Sequence, residues 1–230
     1  MLLDVGGVFH IPDHDLIADA LARADVRANR DLLDLAHYTA ALAVGIEHDG
    51  ELPWRSFWPE YVRTYATTCE VGTDRLDDAI DHLGTAFTTM APWSRIVPGS
   101  REGLAELADT NVTLGVVSNA DGTTAERLAR EEVLQVGPGP GVEIATLIDS
   151  GVVGISKPDP RIFQLALDAL GLGPDDVIYV GDTPAIDVVG ARRAGIRPVV
   201  MDPFELCLDA QFDRVSSLSE LAARVRSGDF

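Results

Sequence analysis

Four short apolar runs rich in β-branched residues punctuate the chain, at residues 1–5, 112–117, 177–180 and 199–201. A strand with one face in water alternates apolar and polar side chains, whereas continuous runs suit strands covered on both faces, as in a parallel sheet between helices. Amphipathic stretches of helical period separate the last three runs, which completes a βαβ alternation and predicts an α/β fold with a doubly wound, Rossmann-like parallel sheet. Boundary signals agree with this. Thr123 with Glu126 three residues later reads as a capping box, and Lys157-Pro158-Asp159-Pro160 reads as a helix opening with proline in its first turn. Thr183-Pro184 starts a further helix that ends on Arg192 and Arg193 before Gly195.

Residues 14–90 behave differently, with helical periodicity and no run able to pair with the sheet. The expectation is a helical cap at 14–90 inserted after the first strand, with an α/β core made of 1–13 and 91–230. Within the insert Trp54, Phe57, Trp58, Tyr61 and Tyr65 recur at three- and four-residue steps and share a helix face, with Pro59 marking a start or kink. Packing inside the insert explains them better than a ligand cage does. Gly137-Pro138-Gly139-Pro140-Gly141 can continue neither helix nor strand and is a loop.

The formal net charge of -19 disfavours nucleic acid and anionic membranes as partners and favours a small ligand. An anionic ligand would then need a locally positive site made by a metal and a placed cation. Cys69 and Cys207 suggest neither a disulfide framework nor a zinc site, and with no basic leader before Asp4 the expected location is cytoplasmic. Met1 already sits inside the first predicted strand, which suggests a natural start upstream. The basic residues are 17 Arg and a single lysine, Lys157. A compact ammonium does a job that a planar guanidinium does not.

In a parallel α/β sheet ligands bind beyond the carboxyl ends of the strands, so the residues that follow each apolar run are the candidates. Asp4 closes the first run, Ser118-Asn119 the second and Gly181-Asp182 the third, with Lys157 before the third. Together Asp4-Val5-Gly6-Gly7-Val8, Val117-Ser118-Asn119, Lys157-Pro158-Asp159-Pro160 and Gly181-Asp182-Thr183-Pro184-Ala185-Ile186-Asp187 resemble the four ordered motifs of the haloacid dehalogenase (HAD) superfamily, phosphatase-like and with a helical C1-type cap. One such motif is weak; four in order are specific.

The resemblance implies that Asp4 is a nucleophile forming an aspartyl-phosphate, that Lys157 neutralises it and the transferring phosphoryl group, and that the Ser118 hydroxyl binds phosphoryl oxygens. Asn119, Gly7 and His10 are candidate substrate contacts. Asp4, the Gly6 carbonyl, Asp182 and Asp187 are candidate ligands for Mg²⁺, which a set of crowded, mutually repelling carboxylates would require. Bland readings stand beside these: Ser118 as a turn former, Asp187 as a first-turn dipole residue, and Lys157 as a solvated helix-start charge.

The sequence departs from the phosphatase pattern at Gly6, where the family usually places a second aspartate that protonates the leaving group. A positioned acid is worth about 10²–10⁴ in rate, so slow hydrolysis of a small phosphorylated metabolite is the expectation. His10 or His14 could substitute as the proton donor. As a metal pair they would need a helix across Pro12, and linker polarity explains them better. His37, His48 and His82 carry no specific signal. Two alternatives remain open: a non-catalytic HAD-like binding or regulatory protein, and a 2-haloacid dehalogenase, which also lacks the second aspartate. Against the latter, the resemblance implies small neutral residues in place of Gly181-Asp182.

Overall fold

A computed structural model describes residues 1–44, 54–88, 93–207 and 212–230, with the side chains of Trp54 and Arg55 outside the description. The chain opens with β1 (Leu2–Leu3), a turn, and β2 (His10–Pro12). Helices α1 (His14–Ala22), α2 (Leu33–Ala43), α3 (Trp58–Thr68) and α4 (Leu76–Phe87) follow, and β3 (Trp93–Ile96) returns antiparallel to β2. Next come α5 (Ser100–Ala108), β4 (Gly115–Ser118), α6 (Thr124–Arg130), β5 (Leu134–Val136), β6 (Val142–Ile144), β7 (Thr146–Asp149) and α7 (Ser150–Val153). The chain ends with α8 (Arg161–Leu170), β8 (Ile178–Gly181), α9 (Asp187–Arg193), β9 (Arg197–Met201), β10 (Asp213–Val215) and α10 (Leu218–Ser227).

Six strands form one parallel sheet in the order β10-β9-β8-β1-β4-β7. The continuous apolar runs take their meaning from the two faces of this sheet. Leu3, Val116 and Val180 point into a cluster with Leu104, Leu107 and Leu221 of α5 and α10, while Leu2, Val117 and Tyr179 point into another with Ile162, Phe163 and Leu167 of α8. Successive side chains alternate faces, and both faces are covered. Register then places the strand ends level: Leu3 aligns with Val116 on one side and Val180 on the other, so Asp4, Ser118 and Asp182 leave the sheet at its carboxyl edge together.

Helices α1 to α4 share their own cluster, built from Ile17, Leu21, Leu33, Tyr61, Tyr65, Leu83 and others, joined by Ala185 from the sheet side. Tyr65 is fully buried there. Trp58 stacks on Phe87 at 5.9 Å, and Tyr61 meets Phe87 edge-on at 5.3 Å, so the aromatic spacing of α3 serves packing as expected.

Several local expectations are corrected. The capping box does not form at Thr123, which makes no side-chain cap. Instead Asp121 Oδ1 accepts from the Thr123 amide and hydroxyl, and Asp149 accepts from Gly122 N–H and Thr124 N–H. A buried carboxylate from the next strand has taken over the capping role. Helix α8 starts at Arg161, with Pro160 as its cap, so Lys157 lies in the loop before it rather than at a helix start. Helix α9 begins at Asp187, three residues after Pro184. Strands β7 and β10 carry too few apolar residues to stand out, because an edge strand is covered incompletely. The Gly-Pro segment is a loop between β5 and β6.

Leu3 is fully buried at the centre of the sheet. Leu3→Ala should lower unfolding stability by about 2–5 kcal/mol, measured by urea titration; a loss well below that range would mean that the central strand can collapse around the gap.

Candidate functional site

The carboxyl edge of the sheet opens into a cavity lined by residues from the first, second, third and fourth motifs, together with side chains of the helical layer. At its floor stands Lys157, only 1% exposed, with its ammonium 2.7 Å from Asp4 Oδ2, 2.8 Å from Asp187 Oδ1 and 2.7 Å from the Tyr179 hydroxyl. An ammonium has three N–H donors, and all three are used. A planar guanidinium could not reach three partners arranged around one point, which explains the single lysine of an arginine-rich chain.

Each partner is itself held. The Val5 amide donates to Asp4 Oδ1 at 2.7 Å, and Lys157 holds the other oxygen, so the plane of this carboxylate is set. Asp187 Oδ2 accepts from the amides of Asp182 at 3.0 Å and Thr183 at 2.9 Å. Asp187 is therefore both a first-turn residue and a member of the site, and the two readings of it are compatible. Gly181 makes this possible, since a Cβ there would lie 2.4 Å from Asp187 Cγ. Tyr179, unremarked as a strand residue in the sequence, has its hydroxyl 3.1 Å from both the Val117 carbonyl and Asp187.

Asn119 donates to the Lys157 carbonyl at 3.0 Å and accepts from the Lys157 amide at 2.7 Å. It lines the cavity, but its amide is spent on clamping the lysine loop rather than on a ligand. Ser118 is buried at the end of β4 and lines the cavity. Gly7, a candidate substrate contact, is not among the lining residues. Its φ of +65° and the 2.3 Å between a Cβ and Asp182 Cγ show instead that glycine is needed there to let Asp182 close in, while the Gly7 carbonyl accepts from the Tyr38 hydroxyl at 2.7 Å. At Gly6 a Cβ would meet nothing closer than Trp93 at 3.9 Å.

His10 lines the cavity fully enclosed, with Nε2 2.6 Å from Glu131 and Nδ1 without a partner. Burial lowers its pKa, Glu131 opposes this, and Arg127 and Arg101 lower it further. His14 instead pairs with Asp34 at 2.8 Å and does not join His10, which disposes of the histidine metal pair. The histidine that sequence reasoning passed over is His37. From α2 its Nε2 reaches within 3.1 Å of Asp182 Oδ2, close enough for an ion pair although not in line for a hydrogen bond, and its Nδ1 lies 2.9 Å from the Tyr61 hydroxyl. Phe57, Trp58 and Tyr61 also line the cavity, so part of the aromatic face meets the site as well as the packing cluster.

Asp4, Asp182 and Asp187 each offer a carboxylate oxygen, all within 4.8 Å of one another, and all three are buried. One ammonium cannot neutralise three carboxylates. A hard divalent cation with oxygen ligands fits this donor set. The surplus is visible in Asp4, whose pKa rises from 3.8 to about 7: burial is the largest cause, Lys157 opposes it, and Asp187 and Asp182 add to it. Burial also works against charging Lys157, but Asp187 and Asp4 outweigh it and hold its pKa above the ordinary value.

The carboxyl edge of the parallel sheet thus gathers a lysine and three aspartates from separate parts of the chain. The haloacid dehalogenase-like hydrolase pattern matches residues 2–195, and the chain belongs to that family. It is 39% identical over 107 residues to phosphoserine phosphatase of Thermus thermophilus, covering 46% of this chain and 41% of that protein. It is 30% identical over 182 residues to (S)-2-haloacid dehalogenase 1 of Pseudomonas sp. strain CBS-3, covering 73% and 79%. With phosphoglycolate phosphatase of Rhodospirillum rubrum it shares 32% over 139 residues, covering 56% and 55%. The chain thus spans about half the length of the two phosphatases. In fold it is similar to 2-haloacid dehalogenase from Pseudomonas syringae pv. Tomato DC3000, with TM-score 0.55 and 19% identity over 100% of this chain and 98% of that one. An HAD phosphatase from Thermococcus onnurineus gives TM-score 0.55 and 18% identity over 99% and 96%. Among the described residues no helix is long and apolar enough to cross a membrane.

Because the folded state holds the Asp4 proton up to about 7 while the unfolded chain releases it near 3.8, the native state binds more protons across that window and stability falls as pH climbs through it. Without divalent cation, the wild type should therefore lose more thermal stability between about pH 5 and about pH 7.5 than Asp4→Asn does. Parallel melting curves for the two proteins would remove the assignment.

Proposed function

We propose that the chain is a phosphomonoester hydrolase acting on a small phosphorylated metabolite, with Mg²⁺ held by Asp4, Asp182, Asp187 and the Gly6 carbonyl. The observation that carries this reading is the surplus of buried negative charge at Asp4, Asp182 and Asp187. A haloacid anion would be repelled by these carboxylates, whereas a cation that neutralises them also attracts phosphate. When bound, the cation supplies charge neutralisation for nucleophile and phosphoryl group.

The chain's own residues account for the rest. Asp4 is fixed by Lys157 and the Val5 amide and attacks phosphorus, forming a bond from carboxylate oxygen to phosphorus as the ester oxygen leaves. Water then cleaves the aspartyl-phosphate, releasing phosphate and restoring Asp4. Lys157 enters the reaction charged because Asp187 and Asp4 favour its ammonium form, and Asp187 remains beside it while Asp4 carries the phosphoryl group. Ser118, at the mouth of β4, offers a hydroxyl to the phosphoryl oxygens. Asp182 is braced from above by His37 and lies against Gly7 below. The helical layer acts as a cap that admits small molecules, and a cytoplasmic location fits such a substrate.

Gly6 leaves the ester oxygen without its usual proton donor. Leaving groups of low pKa need little help, so p-nitrophenyl phosphate should be cleaved in a Mg²⁺-dependent way that Asp4→Asn abolishes; turnover that survives that change removes the mechanism. Since a Cβ at position 6 meets nothing closer than 3.9 Å, Gly6→Asp should speed hydrolysis of alkyl phosphates by about tenfold or more. No gain would point to a substitute acid, a clash at the glycine, or a different reaction.

Dehalogenation is the second reading, favoured by the match to (S)-2-haloacid dehalogenase 1 over 73% of the chain and by the missing second aspartate. Chloride release from 2-chloropropanoate in the absence of Mg²⁺ would promote it over phosphate hydrolysis.

A further inference from the structure

The charges that line the cavity leave one cation unmatched. Lys157 is neutralised by Asp4 and Asp187. Arg127 lines the same cavity, yet its guanidinium has no hydrogen-bond or ion-pair partner among the described residues, and its Nε is buried. Against the effect of burial, hydrogen bonds from Thr123 and then the Arg127 charge lower the pKa of Asp121, but Arg127 forms no ion pair with any acidic residue among the described residues.

Arg127 is held in place from below. It stands on the short helix α6, whose first turn is fixed by the Asp149 carboxylate on Gly122 N–H and Thr124 N–H. Arg130, in the same last turn, is exposed and also complements the helix dipole. Close by, His10 is tied through Nε2 to Glu131 and presents a second enclosed polar atom, Nδ1, with no partner. Arg127 also lowers the proton affinity of His10. Most of the remaining wall is apolar or aromatic, from Val44, Phe57, Trp58, Trp93 and Ile186.

Buried polar groups in proteins are matched by partners, and a group left open in a ligand cavity is matched by the ligand. The two Nη groups of a guanidinium offer a parallel pair of donors, the geometry of a carboxylate. A second phosphate dianion would call for more than one cation, in a cavity that already holds three aspartates. A sugar would call for several polar partners where the wall is mostly apolar.

We propose that Arg127 determines specificity by binding a carboxylate on the organic part of the substrate, so that the substrate class is phosphorylated hydroxy acids of a few carbons. This rests on the phosphomonoester reading above. The unpartnered His10 Nδ1 supplies a further polar contact beside that carboxylate, and the aromatic wall covers the carbon chain.

The test uses 2-phospholactate and isopropyl phosphate, which differ by a carboxylate in place of a methyl group. Equilibrium binding is measured by calorimetry with Mg²⁺ on Asp4→Asn, where neither ester is turned over. 2-Phospholactate should bind at least about tenfold more tightly than isopropyl phosphate. Adding Arg127→Ala should bring the two within about threefold, and Arg127→Lys should restore only part of the difference because the paired donors are lost. Equal affinities, a preference that survives Arg127→Ala, or no measurable binding of either ester would overturn the proposal. Hydrolysis of p-nitrophenyl phosphate by the wild type reports separately on the phosphatase reading. Turnover without the binding preference sinks the Arg127 subsite alone, and the binding preference without turnover sinks the hydrolase reading and leaves the carboxylate subsite standing.

Discussion

The Lys157 ammonium, enclosed at the carboxyl edge of the sheet, is the constraint on which the site depends. A charge at 1% exposure is tolerable only when every donor is met, and Asp4, Asp187 and Tyr179 meet all three. Meeting them brings together residues from β1, β8, α9 and the loop before α8. The backbone of that loop is in turn clamped by Asn119 from the end of β4. Removing the lysine would leave three buried carboxylates facing one another, so the same group organises the fold at this edge and sets the electrostatics of any reaction there. Two glycines give the carboxylates their close approach: Gly181 beneath Asp187 and Gly7 against Asp182.

The helical layer meets this edge through a small number of contacts that carry both packing and chemistry. Neighbouring residues of α2 reach down, His37 to Asp182 and Tyr38 to the Gly7 carbonyl. His37 also packs edge-on against Trp93 at 5.2 Å, which links α2 to the strand that returns the chain to the sheet. A layer docked on the site's own aspartate and glycine cannot shift without disturbing them. The sides of the cavity are divided between aromatic groups of this layer and the open guanidinium of Arg127 on α6, so the reacting end and the recognising end of a ligand would be held by different parts of the chain.

Much of this was legible in the residues themselves. Continuous apolar runs announce strands buried on both faces, because a parallel sheet covered by helices leaves no position for a polar alternate. The residues just past those runs, Asp4, Ser118 and Asp182, had to fall at the carboxyl edge, and the motif order gave the family of hydrolases before any distance was known. The absence of a carboxylate at Gly6 was equally plain, as was the isolation of Lys157 among arginines. These properties belong to local sequence and to chain order.

What the tertiary structure decided lies in pairings between residues far apart in sequence. Asp149 replaced the expected Thr123 and Glu126 cap because a buried carboxylate on an adjacent strand reached the helix start first. Histidines 10 and 14, both candidate proton donors in the sequence, and His37, which carried no specific signal there, became three different things: a partner of Glu131, a partner of Asp34, and a contact of Asp182. Tyr179 and Arg127 gave no signal, since a strand tyrosine and a helix arginine are ordinary until their polar atoms are found enclosed. The sequence by itself determined which elements form and which edge of the sheet carries the chemistry, because hydrophobic pattern and strand direction are local rules. Which side chains are satisfied, and which are left open for a ligand, only the packing of the helices against that edge could decide, because hydrogen-bond satisfaction is a property of three-dimensional neighbours.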